Sequence, residues 1–169
     1  MKQFKTLVLA LALTFGATAF TNAQSKVAHI ASQELIEQMP EYTSAMNQLE
    51  KLQKTYDTEI KDMVSEAQNT MKRYEAEAQT KTDEENSKRA NELQQTQRTI
   101  GEYRQNAMQE LQNKEMELLR PVMEKARTTI QKVAREKGYD YVLDSTTGTG
   151  LIMADGYDLM PDVKKSLGI

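Results

Sequence analysis

A long stretch without proline is the feature that most constrains this sequence. The three prolines are Pro40, Pro121 and Pro161, and the 80 residues from Glu41 to Arg120 contain a single glycine, Gly101. Disordered segments are usually rich in proline and glycine, so their scarcity here indicates long helices. Only 38% of the residues are hydrophobic and 28% are charged, which predicts helices that are solvated over most of their surface.

Apolar residues in the first half of this stretch follow the spacing of one helix face. The ten steps from Tyr42 to Ala78 have a mean length of 3.6 residues, which is the period of an α-helix. A helix of about 40 residues is roughly 60 Å long, at 1.5 Å per residue. The positions are Tyr42, Met46, Leu49, Leu52, Tyr56, Ile60, Met63, Ala67, Met71, Tyr74 and Ala78. The pattern therefore predicts a helix longer than a small globular domain is wide.

Residues 79–88 lack apolar side chains, which predicts the tip of a helical hairpin there. Thr82 and Glu85 have the Thr-x-x-Glu spacing of a capping box. A second helix is expected to end at Gly138, which follows a basic last turn. Pro121 inside this helix is expected to remove one hydrogen bond and bend it. The sequence thus predicts an antiparallel coiled-coil arm over residues 41–138.

Strand-forming segments flank this arm at both ends, over residues 24–40 and 139–169. Residues 25–31 predict a strand, and Ser32 is expected to cap a short helix after it. Residues 139–144 and 151–154 predict a β-hairpin closed by a turn-rich loop, with a short helix at the C-terminus. So few strands cannot bury a stable core alone. The sequence therefore predicts a mostly α protein whose small β body is completed by oligomerisation.

The first 23 residues have the features of a secretory signal peptide. Lys2 and Lys5 precede an apolar run over residues 7–15, which is too short for a transmembrane helix. Thr21 and Ala23 are small enough for the −3 and −1 pockets of a signal peptidase. We therefore expect export, with cleavage after Ala23.

The charge and residue types of the exported chain exclude several functions. After removal of the signal peptide, 20 basic and 25 acidic residues give a formal charge of −5. Lys and Arg do not cluster as nucleic-acid binding requires, so we predict no nucleic-acid partner. One histidine, no cysteine and no glycine-rich phosphate loop provide no catalytic constellation. We predict a protein that is not an enzyme, with no catalytic, cofactor or metal site.

Two features with a chemical alternative are interpreted as structural. His29 could act as a lone metal ligand or as a base. A catalytic histidine needs a partner that orients it, and the sequence offers none, so we assign His29 a structural place in the first strand. The run Asp83-Glu84-Glu85 lacks the spacing of a calcium loop, because three consecutive carboxylates on a helix point in different directions. Acidic residues at a helix start favour the helix dipole, and we interpret the run in that way.

Segments along the whole exported chain carry a family resemblance. They are the strand at 26–31, the long Gln-, Glu- and Lys-rich hairpin, and three later runs. These runs read Leu119-Arg-Pro-Val-Met-Glu-Lys-Ala126, Val133-Ala-Arg-Glu-Lys-Gly-Tyr-Asp-Tyr-Val-Leu-Asp144 and Asp158-Leu-Met-Pro-Asp-Val-Lys-Lys-Ser-Leu167. In order and local pattern the sequence resembles the Skp (OmpH-like) family of periplasmic chaperones. Met160 stands where the family usually has Thr, so Asp158 or Pro161 must set the start of the last helix.

The resemblance implies a homotrimer in the periplasm. Strands of three chains would form a β-barrel-like body, and three hairpins would project from it to enclose a cavity. Family members hold unfolded outer-membrane proteins in that cavity without ATP. A transient contact with the membrane or lipopolysaccharide is a further expectation, although residues 45–118 carry 11 basic and 15 acidic residues. The residues assigned to the oligomer body are Val27, Ile30, Tyr141, Leu143, Leu151 and Ile152.

The apolar stripe along the arm has two interpretations. Its residues contact client proteins, or they pack between the two helices. Methionine is flexible and polarizable, which suits surfaces that fit many partners, and it also fills irregular gaps in a core. Tyrosine rings likewise line amphipathic cavities or pack. The candidate client-binding residues are Tyr42, Met46, Leu49, Tyr56, Met63, Met71, Tyr74, Tyr103 and Met108.

An alternative function is a structural or adaptor coiled coil of the cell envelope that binds one defined partner. That function requires arms paired rigidly along their length. The polar tip and Gly101 favour a looser arm, and the sequence therefore favours an ATP-independent holdase.

Overall fold

The computed structural model describes residues 25–169, and the predicted signal peptide and its cleavage site lie outside this range. The chain is mostly helical with a small sheet. Its elements, in order, are β1 (Val27–Ile30), α1 (Ser32–Glu37), α2 (Pro40–Glu77), α3 (Asp83–Glu136), β2 (Tyr141–Asp144), β3 (Tyr157–Asp158) and α4 (Met160–Leu167).

The two long helices pack side by side and form the predicted hairpin. Pro40 occupies the first turn of α2, where its missing N–H costs no hydrogen bond. The 54 residues of α3 continue without interruption past Pro121. Ala45 is the only fully buried residue of α2, so the contact between the helices is thin. At 1.5 Å per residue, α3 is about 80 Å long.

The turn at the tip of the hairpin is shorter than predicted. A 3₁₀ turn at Ala78–Thr80 leads directly to α3, which begins at Asp83. The predicted capping box is confirmed: the backbone N–H of Glu85 donates to the Thr82 hydroxyl (3.2 Å), and the Thr82 N–H donates to the Glu85 carboxylate (3.0 Å). The bond from the Thr82 backbone, together with nearby Lys81, lowers the pKa of Glu85. Thr82 and Glu85 therefore mark in the sequence the place where the chain reverses.

The sheet differs from the predicted β-hairpin. Its strand order is β2-β1-β3, and both neighbours run parallel to β1. Val27 pairs with Tyr141, and His29 pairs with Asp158. Residues 151–154 form no strand, so the hairpin prediction is wrong. The segment after β2 must return to the other end of the sheet before a parallel strand can begin, and residues 145–156 make that return.

The core lies between the inner face of the sheet, the base of α3 and the two short helices. The largest fully buried side chains are Ile30, Leu35, Met39, Leu159 and Val163. Ile30, which was assigned to the oligomer body, is 2% exposed and packs in the core of its own chain. Side chains alternate along a strand, so Ala28 and Ile30 point inward and Val27 points outward.

At the start of each short helix, a backbone N–H donates to the carboxylate of an aspartate that lies in a strand. Ser32 was predicted to cap α1, but the N-cap is Ala31 and makes no side-chain bond. The Asp144 carboxylate accepts from the Ser32 N–H instead (3.2 Å). At α4, Asp158 accepts from the Met160 N–H (2.8 Å), one of the two alternatives that the sequence left open. Helix α4 ends at Gly168, whose φ of 78° is left-handed.

Candidate functional site

The tyrosines predicted to bind clients lie between the two arm helices. Tyr56, Tyr74 and Tyr103 are half-buried. Each hydroxyl donates to a glutamate on the opposite helix, and the bond from Tyr74 to Glu92 is 2.7 Å long. Tyr42 packs against the core at the base. These contacts match the packing interpretation of the tyrosines.

The methionines of the arm fall into two groups. Leu49 and Met63 are half-buried between the helices. Met46 and Met71 are about two-fifths exposed, and Met108 is 62% exposed. Met108 is therefore the predicted client residue that the fold leaves most accessible.

A groove of about 1000 Å³ opens between the base of α3 and strand β2. Met116, Leu119, Met123 and Ile130 follow one another at steps of three, four and seven residues, which places them on one face of α3. Met116 is 56% exposed and Met123 is 55% exposed. The apolar lining residues are Ile30, Ile36, Met116, Leu119, Met123, Ala126, Ile130, Ala134, Tyr139, Tyr141 and Val142.

This groove-facing side of α3 was missed as a candidate site. No residue from 109 to 138 is among the site residues predicted from the sequence. By helical spacing, Met116 and Met123 are turned more than 90° away from buried Val122. The signal was available in the sequence, because the base of α3 is too apolar for one packed face.

The outer face of the sheet is also apolar and open. Val27 and Tyr141 are register partners that lie side by side, and Leu143 follows two residues later on the same face. All three are exposed. Beyond β2, Ile152 is fully exposed and Leu151 is half-buried. Among the predicted body residues, all except Ile30 are therefore at least partly accessible.

His29 joins the two ends of the segment between β2 and β3. Its Nδ1 lies 3.2 Å from the Ser145 hydroxyl, and its Nε2 lies 3.2 Å from the Gly156 carbonyl. A carbonyl only accepts, so Nε2 donates and Nδ1 accepts from Ser145 when the ring is neutral. This geometry gives His29 a structural use in the sheet.

Two searches of the described chain bear on its chemistry. Within residues 25–169, no group of three or more His, Asp and Glu side chains is arranged to hold a metal ion. Over the same residues, no helix is both long and apolar enough to cross a bilayer.

Similar proteins in other bacteria are named as chaperones. A chaperone protein Skp from Yersinia enterocolitica is 26% identical over 158 residues, covering 93% of this chain and 94% of the relative. A chaperone protein Skp from Pectobacterium atrosepticum is 23% identical over 157 residues, covering 93% and 94%.

The fold has a counterpart among solved structures. A candidate OmpH-like outer membrane chaperone from Caulobacter crescentus matches with a TM-score of 0.75 at 18% identity, covering 86% of this chain and 85% of that one. The family model described as outer membrane protein (OmpH-like) matches residues 26–167. The match extends from the strand before the arm to the last helix, and the chain belongs to this OmpH-like family.

Proposed function

We propose that this protein is an ATP-independent holdase that binds unfolded outer-membrane proteins between its helical arms in the periplasm. The observation that carries the proposal is a long arm whose exposed large apolar side chains are methionines. Met46, Met71 and Met108 lie along the arm. Flexible, polarizable side chains adapt to many partners, as binding to unfolded chains requires.

Several weak contacts are the expected mode of binding. Each exposed methionine along the arm offers only a small apolar surface. Arms that act together raise the effective concentration of the next contact, so retention exceeds the affinity of any one site. The net negative charge of residues 45–118 leaves apolar contact as the main attraction for clients.

The cavity requires more than one chain, and we assign its assembly to the β body as a homotrimer. Strand β2 is an edge strand, so its outer side presents unpaired backbone groups. The groove beside it is apolar, while Ile152 of the same chain has no apolar cover. A second copy that places residues 151–153 along β2 would cover both features. Such a head-to-tail contact closes into a ring when the rotation fits.

Symmetric shortening of the arm tests the proposal. Deleting residues 60–77 and 86–103 removes 18 residues, or five turns, from each helix and keeps the capping box at the tip. The expected result is an unchanged oligomer by light scattering on a sizing column, with loss of co-elution with a urea-unfolded outer-membrane β-barrel. An oligomer of shortened chains that still retains the barrel protein would overturn the holdase function.

An envelope adaptor is the second candidate, because the tyrosine hydroxyls tie the two arm helices together. Rigid pairing of that kind suits a spacer. Capture of one folded envelope protein by the full-length protein, without affinity for unfolded barrels, would favour this function.

A further inference from the structure

Two tyrosines and two glutamates form a reciprocal cluster in the middle of the arm. Tyr56 on α2 and Tyr103 on α3 meet edge to face, with ring centroids 6.2 Å apart and planes at 71°. The Tyr56 hydroxyl donates to Glu110 on α3, and the Tyr103 hydroxyl donates to Glu59 on α2. Each helix therefore supplies one donor and one acceptor to the other. We call these four residues the mid-arm clasp.

The surrounding contact between the helices is thin. Over the distal part of the arm, Ile100 and Ala107 are the buried residues of α3, and α2 has no fully buried residue after Ala45. Apolar burial holds most helix pairs together, and here it is partial, because apolar residues between the helices such as Leu52, Ile60 and Met63 are only half-buried. Hydrogen bonds to charged acceptors are the stronger class of such bonds, so the clasp adds to this partial apolar contact in the middle of the arm.

A second tyrosine contact lies near the tip, about 27 Å further along α2 at 1.5 Å per residue. The Tyr74 hydroxyl donates to Glu92 (2.7 Å). The Arg89 guanidinium lies over the Tyr74 ring at 4.4 Å and pairs with Glu77 at 2.5 Å. The tip is thus held by its own contacts together with the capping box.

From this arrangement we infer that the mid-arm clasp is a conformational device that keeps the arm closed at its middle. With the clasp intact, half-buried Ile60 and buried Ile100 stay between the helices. The arm then exposes its outward-facing methionines to solvent, while the apolar residues between its two helices stay covered. Loss of the two hydroxyls opens the middle of the arm while the base and the tip stay paired.

Amide hydrogen exchange of the full-length protein at neutral pH tests this inference. The variant Tyr56→Phe/Tyr103→Phe keeps both rings and removes only the hydroxyls. We expect peptides covering residues 52–64 and 98–112 to exchange about tenfold faster, because local opening sets the exchange rate. Peptides covering residues 120–136 are expected to keep their wild-type rates.

The matched control is Tyr42→Phe/Tyr139→Phe. Neither of these hydroxyls has a hydrogen-bond partner within residues 25–169, and both rings pack against the core. The single variant Tyr103→Phe keeps half of the clasp and should give an intermediate acceleration. The inference is overturned if mid-arm rates in the double variant stay within twofold of wild type, or if the control accelerates the same peptides equally. Because the readout needs no client, it is independent of the holdase proposal.

Discussion

Asp144 at the end of β2 binds the first residue of α1, Ser32, which lies 112 positions earlier in the chain. The Ser32 N–H donates to one carboxylate oxygen at 3.2 Å, and the Ser32 hydroxyl donates to the other at 2.5 Å. Thr146 donates through both its backbone N–H and its hydroxyl. One side chain therefore joins the segments before and after the arm and satisfies the start of a helix.

Removal of this carboxylate should loosen the body. Asp144→Ala deletes the acceptor for four donors, and we expect the free energy of unfolding to fall by about 1 kcal/mol, since water screens this partly accessible group. Urea unfolding followed by circular dichroism measures the change. Asp155→Ala is the control, because its carboxylate accepts no hydrogen bond within the described residues. Equal stability of Asp144→Ala and wild type would contradict the assignment.

Acid should remove the same contribution. Burial raises the pKa of Asp144, but hydrogen bonds from Ser32 and Thr146 outweigh it and lower the pKa to about 2 from an ordinary 3.8. A lowered pKa stabilises the fold above about pH 4, and this stabilisation disappears as the pH falls toward 2. The difference in unfolding free energy between wild type and Asp144→Ala should shrink over that range. A difference that stays constant from pH 6 to pH 2 would refute this cause.

Alkaline titration should single out one tyrosine. The hydrogen bond to Glu59, aided by partial burial, raises the pKa of Tyr103 to about 12 from an ordinary 10. The neutral hydroxyl is thus favoured in the folded arm, and its stabilising contribution is lost as the pH rises from about 10 to 12. Ultraviolet difference titration of wild type against Tyr103→Phe should show a late tyrosinate transition. If the transition that Tyr103→Phe removes lies near pH 10 instead, the hydrogen bond to Glu59 is contradicted.

The capping box should control fraying at the tip. Thr82→Ala removes the hydroxyl that accepts from the Glu85 N–H, and N-cap losses of this kind cost about 1 kcal/mol of local stability. Exchange of amides in residues 78–92 should accelerate several-fold, while the base of α3 stays unchanged. Ser87→Ala, a change inside the helix, serves as the control. The role of the box is disproved if both variants exchange alike.

Helices of the arm were predictable because their signals are local. A 3.6-residue period, the Thr82–Glu85 box and Gly138 after a basic turn each act within a few residues of the chain. The tip was predicted too long, since Asp83 already lies in α3. Tyr–Glu contacts across the arm were not predictable, because they depend on the register of two helices.

The sheet was harder to predict because its pairing joins distant segments. The turn-rich run after β2 is typical of a β-hairpin when only neighbouring residues are considered. In the structure, β2 and β3 both pair with β1 in parallel. Which side of β1 faces the core was also not predictable, since the strand's inner side is set by where α3 packs. The groove beside β2 follows from that packing, and its one local sign in the sequence is the surplus of apolar residues at the base of α3.

The most direct test of the central claim dilutes a urea-unfolded outer-membrane β-barrel into buffer with or without the protein from Gln24 onward, and follows light scattering without nucleotide. The account predicts that scattering is suppressed when assembled protein and client are near stoichiometric. Suppression should persist across salt concentrations, because apolar contacts carry the binding. Unchanged scattering at every ratio and salt concentration would contradict the holdase function.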